Sequence, residues 1–443
     1  MNRTLIKKGW LVIALLMTFL ILGAVPALAA IDGMTGTTFN LTAKAGYITT
    51  PDGDSIFMWG YADTNGVHNG GRMQYPGPTL IVNQNATVTI TLTNQLSVPV
   101  SIVFPGQAGV TATGGTLGLL TNEAPPGGSV QYQFIASNPG TYTYYSGTRP
   151  DLQTEMGLVG ALIVRPSMVT PVGFTGCAYN DADSCFQHEY VFLLSEIDPR
   201  IHKLVQTGKM NLVDNTTYFP VTWFINGRAA PDTMGPAFAS WLPNQPYNSM
   251  PMAHPAETVL LRQIGAGRNF HPFHHHGNHS RIIARDGKFL ESAPGAGANL
   301  SELVFTITSV PGGTTDSLFK WTGEGLGWDV FGHAQVNPDG TITCVAPTAE
   351  EAAVENMADH CKPVPVLLPN IEELAIGLFY SGSPFLGALG FLLPGEGGFN
   401  PNGGYFFMWH SHAEKEITTN NIFPGGMLTM IVIEHPSVTL MNP

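Results

Sequence analysis

The sequence predicts an all-β protein made of two β-sandwiches in tandem. The first indication is the segment 86–94, in which polar and apolar side chains alternate with the period of a strand. The second is the abundance of turn-forming residues, 51 glycines and 34 prolines among 443 residues, which fits many short strands joined by turns. The third is an internal repeat that relates the first part of the chain to the second.

Short strand-like runs recur along the chain and are separated by turn clusters. In the segment 86–94, Val88, Ile90 and Leu92 are expected to face the core, and the threonines are expected to face outward. Turn clusters such as the prolines and glycines at 125–128 separate such runs. Comparable runs lie at 130–135, 141–145, 159–164, 189–195, 258–264, 302–308 and 428–433. This pattern favours β-sandwiches.

The internal repeat divides the chain into two domains. Residues 124–164 parallel residues 309–433 in their order of glycine-rich turns and apolar strands. We therefore predict a first domain at 31–166 and a second domain at 170–443. The second copy is longer because it contains a glycine- and proline-rich insertion at 323–403.

The N-terminus predicts an export signal at 1–29. Three basic residues precede a nearly all-apolar run at 9–25, and Ala27-Leu28-Ala29 is a small-residue cleavage site. We expect a secreted protein, periplasmic or extracellular or on the cell surface, with no transmembrane segment once the signal is removed. An uncleaved anchor is the alternative, which the helix-breaking proline before the cleavage site disfavours.

The chain beyond the signal is acidic. Without the three basic residues of the signal, 16 of the 19 basic residues remain against 32 acidic ones, a formal charge of −16. Such a charge disfavours binding to a nucleic acid, which is itself a polyanion. It favours solubility and the attraction of cations.

Four cysteines are compatible with disulfides in an exported protein. The pairing that is local in the sequence joins Cys177 to Cys185 and Cys344 to Cys361, and it is one of three connectivities. Zinc ligation is the alternative, but none of the four belongs to a C-x-x-C pair.

Two histidine pairs have the spacing of neighbours on one face of a strand. His274 and His276 form the first pair, and His410 and His412 form the second. Residues two apart in a strand point to the same side, so two adjacent strands would bring four imidazoles together. Imidazole is a ligand of copper, zinc, iron and nickel. The sequence therefore predicts a metal site in the second domain.

His271 and its neighbours carry a weaker signal. His271 lies three residues before His274 and falls on the other face of an ideal strand, unless a bulge intervenes. His271 is therefore either a metal ligand or a histidine packed in the core. His275 and His279 also fall on that other face, where supporting or surface roles are expected.

Two carboxylates follow the second histidine pair. Glu414 and Glu416 keep the parity of His410 and His412, so a continuing strand would place them on the face of the imidazoles. They are candidate catalytic residues, as proton acceptors, and also candidate ligands or partners that orient ligands. A solvated charged turn is the alternative.

The insertion at 323–403 contains an uncharged stretch at 374–395. Gly, Ser and Pro interrupt this stretch, so a membrane helix is not expected. A folded loop over the core, a lid over the histidines or an oligomer contact fits better.

Four motifs resemble the multicopper oxidases, a family of tandem cupredoxin domains. Residues 75–96, beginning Tyr-Pro-Gly-Pro-Thr, are similar to the opening of the family's first domain, and residues 139–164 are similar to its end. "HPFHHHG" at 271–277 resembles the His-Pro-x-His-x-His-Gly motif, and "WHSH" at 409–412 resembles the His-Cys-His motif.

This resemblance covers most of 45–166 and 185–435 and leaves out the insertion. It implies tandem cupredoxin-like Greek-key β-sandwiches, with a long insertion in the second. It also implies copper as the cofactor, since four His-x-His pairs hold a trinuclear copper cluster in the family. By position, His274 resembles the type 2 copper ligand, and His271 resembles a type 1 ligand. His276, His410 and His412 resemble type 3 ligands.

The departures from the family concern half of that ligand set. In the first domain, the positions of the family's histidine pairs hold Val103, Pro105, Tyr145 and Gly147, so this domain supplies no metal ligand. The cysteine of the blue-copper site is replaced by Ser411, and the second histidine of that site is replaced by Glu416. A blue-copper site needs a thiolate beside two histidines, so long-range electron transfer of the laccase type is not expected.

Three hypotheses about function follow. The first is a secreted copper-binding protein of this family that acts as an oxidoreductase, with dioxygen or a small molecule as substrate, at a histidine-only centre. Zinc and iron are second choices of metal, and a homo-oligomer fits the exposed insertion. The alternative is a non-catalytic secreted or cell-surface protein, structural or metal-binding, with a vestigial oxidase site. A cupin-type metal enzyme is third, because a glutamate after His-x-His is also a cupin feature.

Overall fold

The computed structural model describes residues 31–323, 329–355, 357–363, 382–383, 405–436 and 438–440. The predicted signal peptide and the uncharged part of the insertion therefore lie almost wholly outside the described residues. Within the described part, no helix has both the length and the apolar composition needed to cross a membrane.

The described chain begins with eleven strands, nine of which form the two sheets of the first sandwich. The strands are β1 (Met34–Thr35), β2 (Thr38–Thr49), β3 (Ser55–Asp63), β4 (Gly77–Asn83), β5 (Thr87–Asn94), β6 (Thr111–Gly114), β7 (Thr116–Leu117), β8 (Asn122–Glu123), β9 (Ser129–Ile135), β10 (Gly140–Tyr145) and β11 (Val159–Arg165). One sheet has the order β1-β4-β11-β10 and the other has the order β3-β2-β5-β9-β6. The short strands β7 and β8 pair with each other.

Most of the strands that follow form a second, larger sandwich. The strands are β12 (Gly176–Cys177), β13 (Cys185–Phe186), β14 (His188–Ile197), β15 (Thr222–Ile225), β16 (Met252–Ala253), β17 (Thr258–Gly265), β18 (His271–His275), β19 (Ser280–Arg285), β20 (Lys288–Phe289), β21 (Glu302–Val304), β22 (Thr306–Ser309), β23 (Thr314–Lys320), β24 (Ala334–Val336), β25 (Ile342–Cys344), β26 (Gly382–Ser383), β27 (Tyr405–Ser411) and β28 (Leu428–Ile433). One sheet has the order β15-β14-β17-β23-β19-β20, and β21 pairs with β19. The other has the order β16-β28-β27-β18-β22, and β26 pairs with β27.

Helices are short and few in the described residues. The α-helices are α1 (Pro150–Gln153), α2 (Pro199–Gln206) and α3 (Ala349–Ala352), and short 3-10 helices lie at 69–71, 182–184, 210–212, 232–234 and 414–417. Helix α2 begins where the Asp198 carboxylate accepts a hydrogen bond from the Arg200 backbone N–H. Its apolar residues Ile201 and Val205 pack on the core of the first sandwich.

The core of the first sandwich follows the predicted alternation. Val88, Ile90 and Leu92 of β5 are fully buried, as the period-two pattern predicts. Strand β9 alternates in the same way between buried and exposed side chains. The second core is more aromatic, with Phe273 and Trp409 both fully buried in it.

A buried network of charges joins the two sandwiches. Arg262 is fully buried, and its Nε donates to Oε1 of Glu189 at 2.5 Å, while Arg165 donates to both oxygens of that carboxylate. Burial alone would raise the pKa of Glu189, but the two guanidinium charges lower it to about 2. Nη1 of Arg262 also donates to Thr141 of the first sandwich at 2.9 Å. The ion pair thus fixes the junction between the domains.

Candidate metal centre

The two histidine motifs lie on adjacent antiparallel strands of one sheet. Strand β18 pairs with β27 so that His274 is directly opposite His410 and Phe273 is opposite Ser411. Side chains alternate between the faces of this strand pair, and the histidines of the two pairs share the less buried face. The register therefore brings together the two segments that are about 135 residues apart in the chain.

The four imidazoles of the predicted pairs converge on this face, and we call them the histidine quartet: His274, His276, His410 and His412. The ring of His274 has its centre 4.8 Å from that of His276, 5.6 Å from His410 and 5.0 Å from His412. The Nε2 atoms of His276 and His410 are 3.3 Å apart. His412 lies just beyond the end of β27 and is exposed, yet its ring stays within the group.

Burial keeps two rings of the quartet in the uncharged form that binds metals. Burial and the neighbouring imidazoles lower the pKa of His274 to about 4. Burial also lowers the pKa of His410. Nδ1 of His274 is 3.0 Å from the Thr306 hydroxyl, and Nδ1 of His410 is 2.7 Å from the Ser411 carbonyl oxygen. These contacts orient both rings and leave their Nε2 atoms for a ligand role.

The first sandwich has the same local pairing without histidines. Val103 forms an antiparallel bridge with Tyr145, as His274 does with His410 in the second sandwich. A Cβ atom added at Gly147 would lie 2.7 Å from Cγ1 of Val103 and 3.1 Å from the Ser101 hydroxyl oxygen, so packed side chains already fill this place. The first domain therefore offers no imidazole at the matching position.

His271 lies on the buried face of the same strand and forms a pair of ionic hydrogen bonds. Its Nε2 is 2.8 Å from Oε2 of Glu196, and its Nδ1 is 2.9 Å from Oε2 of Glu416. All three side chains are buried, and the Ser411 hydroxyl donates to the same Glu416 oxygen at 2.5 Å. We call these four residues the buried ion-pair cluster.

The structure places His271, one of the predicted metal ligands, in this arrangement on the buried face of β18 and not with the quartet. Burial alone would lower the pKa of His271, but hydrogen bonds and charges of Glu196 and Glu416 raise it to about 9. Both ring nitrogens of His271 are therefore engaged by carboxylates on the buried face. With Ser411 in place of a thiolate and a carboxylate in place of the second imidazole, this position does not fit blue copper.

The predicted placement of Glu416 on the quartet face is wrong. Strand β27 ends at Ser411, and residues Glu414–Ile417 form a 3-10 turn, so the parity of the strand does not extend to Glu416. The Ser411 hydroxyl accepts the Ala413 backbone N–H, which helps to end the strand. Glu416 turns into the buried ion-pair cluster, and Glu414 is exposed.

The remaining histidines of the motif lie apart from the quartet. His275 is buried against Trp409, with ring centres 4.5 Å apart, and burial lowers its pKa to about 3. Its Nδ1 is 3.0 Å from the Ser280 hydroxyl. His279 is exposed. The buried position of His275 and the exposed position of His279 agree with the supporting and surface roles predicted for them.

Both predicted disulfides, Cys177–Cys185 and Cys344–Cys361, are present. The cysteines therefore do not act as free thiolates in this state. Glu196, by contrast, has no signal in the sequence, because it lies 75 residues before the histidine that it binds. Only the buried strand that carries it, β14, was visible as a pattern.

Comparison with known proteins places these features in a family context. Residues 64–168 match the family model described as multicopper oxidase. Multicopper oxidase MCE of Talaromyces pinophilus is 36% identical over 104 residues, which are 23% of this chain and 17% of that protein. L-ascorbate oxidase of Cucurbita pepo var. melopepo is 36% identical over 96 residues, 21% of this chain and 17% of that protein. The chain thus spans less than a fifth of the length of these relatives.

Solved structures show the same fold over nearly the whole chain. The multicopper oxidase mgLAC is 17% identical with a TM-score of 0.53, covering 91% of this chain and 88% of that one. The blue copper oxidase from Nitrosomonas europaea is also 17% identical with a TM-score of 0.53, covering 89% of this chain and 85% of that one. These likenesses confirm the predicted all-β fold of tandem cupredoxin-like sandwiches. The chain is therefore similar to the multicopper oxidases, and the match of the family model is confined to residues 64–168.

Proposed function

We propose that this protein is exported and binds copper at the histidine quartet, where it acts as an oxidoreductase on dioxygen or a small molecule. The convergence of four imidazoles from β18 and β27 on one half-buried face is the observation that supports this most. The donor set fits copper, since imidazole nitrogens are borderline ligands and two of the rings are held uncharged. Zinc and iron are compatible with the same donors. The match of residues 64–168 to the multicopper oxidase model and the multicopper oxidase among the relatives make copper the first choice.

The chain's own residues prepare the site for this chemistry. Copper, when bound, would supply one-electron redox chemistry and a place for substrate coordination. Thr306 and the Ser411 carbonyl hold two rings in fixed orientations, so that little ordering is required on binding. The exposed Glu414 is the carboxylate that moves protons to and from solvent. Glu416 has no such role, because His271 and Ser411 hold it on the buried face.

A blue-copper electron relay forms no part of this proposal. In place of a thiolate, Ser411 has a hydroxyl group, which donates a hydrogen bond to Glu416. A substrate would therefore have to react at the quartet itself.

The second candidate function is a non-catalytic, metal-binding or structural protein of the cell surface. It is favoured by the close packing without imidazoles at the first-domain positions that the resemblance aligns with the family's other ligands. Export is common to both candidates and is supported by the apolar leader and by two disulfides, which form in oxidising compartments. Assembly into a homo-oligomer through the insertion is part of the second candidate.

The purified chain is expected to bind copper stoichiometrically without an intense blue thiolate absorption. Replacing His274 and His410 together by alanine removes two central imidazoles, so copper affinity should fall at least about 100-fold, while the fold is kept because both side chains are half-exposed. Elemental analysis after dialysis and electron paramagnetic resonance measure this. His279→Ala, an exposed histidine of the same motif, is the matched control and should retain full copper.

Oxygen uptake with a small reductant separates the two candidates. Loss of uptake in the double variant, with an unchanged melting temperature, supports the oxidoreductase. Copper-dependent assembly or melting temperature without oxygen uptake supports the structural protein. Copper that remains stoichiometric in the double variant contradicts the proposed site.

A further inference from the structure

A second group of metal-ligand side chains lies at the start of the insertion, apart from the histidine quartet. It consists of Asp329, His333, Glu355 and His360, and one ligand atom of each lies within 4.8 Å of those of the others. The first two residues precede β24, and the other two follow α3. We call this group the insertion cluster.

The distances within the insertion cluster are those of ligands around one small ion. Nδ1 of His333 is 3.2 Å from Oδ2 of Asp329 and 3.3 Å from Oε1 of Glu355. Nδ1 of His360 is 2.9 Å from the same Glu355 oxygen. Ligands at 2.0–2.1 Å around tetrahedral zinc are separated by about 3.3 Å. The four donors therefore need only small shifts to surround a cation.

Burial makes the cluster a built site and not a patch of surface charge. The exposed fractions are 2% for Asp329, 5% for His333 and 9% for Glu355. Oε2 of Glu355 is buried and accepts no hydrogen bond from any described residue. A buried carboxylate oxygen without a partner is costly, and the proton of a neighbouring imidazole on Oε1 does not relieve it. A bound cation would satisfy both oxygens.

We propose that the insertion cluster is a second metal site, for a divalent transition cation of the zinc class. Two imidazoles and two carboxylates form a closed set of four protein ligands, which is typical of a structural site. Oε2 of Glu351 lies 3.5 Å from Nε2 of His333, where it would orient that ring while Nδ1 binds the metal. With uncharged imidazoles, the two carboxylates supply the charge that balances a divalent ion.

The proposed ion would tie together the two arms of the insertion. Phe331, between the two ligands of the first arm, packs in the core of the second sandwich. The Cys344–Cys361 disulfide links the same arms, and the backbone N–H of Cys361 donates to Asp329 at 3.1 Å. Metal and disulfide would thus fix one segment against the sandwich.

The test uses the full chain with both disulfides intact, carrying His274→Ala and His410→Ala so that zinc cannot occupy the quartet. Intact disulfides matter because Nε2 of His360 is 3.3 Å from Sγ of Cys344, and free thiolates would compete for zinc. After removal of bound metal by a chelator, Zn²⁺ alone is added, and binding is measured by equilibrium dialysis. One zinc per chain is expected, with a rise in melting temperature.

Two nearly isosteric variants, Glu355→Gln and His360→Asn, test whether the insertion cluster binds the zinc. Each should weaken zinc binding at least about tenfold and abolish the zinc-dependent rise in melting temperature. His279→Asn, an exposed histidine outside the cluster, should leave both unchanged. If the starting protein binds no stoichiometric zinc, or if both variants bind it as tightly, the cluster is an ion-pair network and the proposal is wrong. If one variant fails to fold, the other gives the result.

Discussion

Replacing His271 by alanine is expected to lower the free energy of unfolding by about 3–5 kcal/mol at pH 7. The substitution removes the only positive charge of the buried ion-pair cluster and leaves Glu196 and Glu416 as two buried carboxylates with their shared partner gone. Urea unfolding, followed by the fluorescence of the second core, measures the change, since Trp409 packs in that core. A loss below about 1 kcal/mol would show that the ion pair contributes little.

A second substitution distinguishes the loss of charge pairing from the loss of packing. Adding Glu416→Gln to His271→Ala removes one of the two stranded charges, so the double variant should be more stable than the single one. If the double variant is instead less stable than the single one, and the two losses of unfolding free energy add, the loss is due to packing. His279→Ala is the exposed control and should be neutral within about 0.5 kcal/mol.

The same ion pair makes stability depend on pH with a defined sign. The pKa of His271 is about 9 in the folded chain against 6.5 for the free side chain. Its contribution is therefore fully present below pH 6.5 and is lost as the pH rises through 9, a change on the order of 3 kcal/mol. The unfolding free energy of the native protein should fall over this interval relative to that of His271→Gln. Parallel profiles for the two proteins would mean that His271 is not protonated in the fold.

The sequence predicts the parts of this molecule that follow from a regular period. The alternation in β5 places Val88 and Ile90 in the core because a strand surface repeats every two residues. The same period places His274 and His276 on one face, and adjacent pairing of β18 and β27 then brings in His410. These predictions need only the local backbone and the order of strands.

The parts that the sequence does not predict depend on where a strand ends and on distant partners. The parity rule fails at Glu416 because β27 stops at Ser411, and nothing in the pattern of charges marks that end. The contact of His271 with Glu196 joins residues 75 positions apart on different sheets of the second sandwich. Buried polar partners of this kind follow from tertiary packing, which periodicity does not encode.

The buried ion-pair cluster contains Ser411 and Glu416, which the resemblance aligns with the cysteine and the second histidine of a blue-copper site. The geometry of this cluster leads to the prediction with the largest expected effect. The Ser411 hydroxyl and Nδ1 of His271 lie 2.5 Å and 2.9 Å from the same oxygen of Glu416. A donor at 411 and an imidazole at 271 therefore already converge on one point. Glu196 holds the other nitrogen of His271 and would keep the ring oriented.

Combining Ser411→Cys with Glu416→His is therefore expected to create a blue-copper site. The pair of changes supplies a thiolate and a second imidazole and frees Nδ1 of His271, which completes the two-histidine, one-cysteine ligand set. The variant should bind about one more copper per chain than the native protein and show the intense thiolate-to-copper absorption that is not expected of the native protein. Absorption spectroscopy and elemental analysis measure both.

The single variant Ser411→Cys is the matched control for this change. It introduces the thiol but leaves Glu416 bound to His271, so the imidazole stays protonated and no intense blue band is expected. A double variant that folds and binds copper at the quartet, yet stays colourless, would contradict the assignment of this cluster to the blue-copper position. A blue single variant would mean that Nδ1 of His271 binds copper while Glu416 is still present. The contact between Glu416 and His271 would then be weaker than the structure indicates.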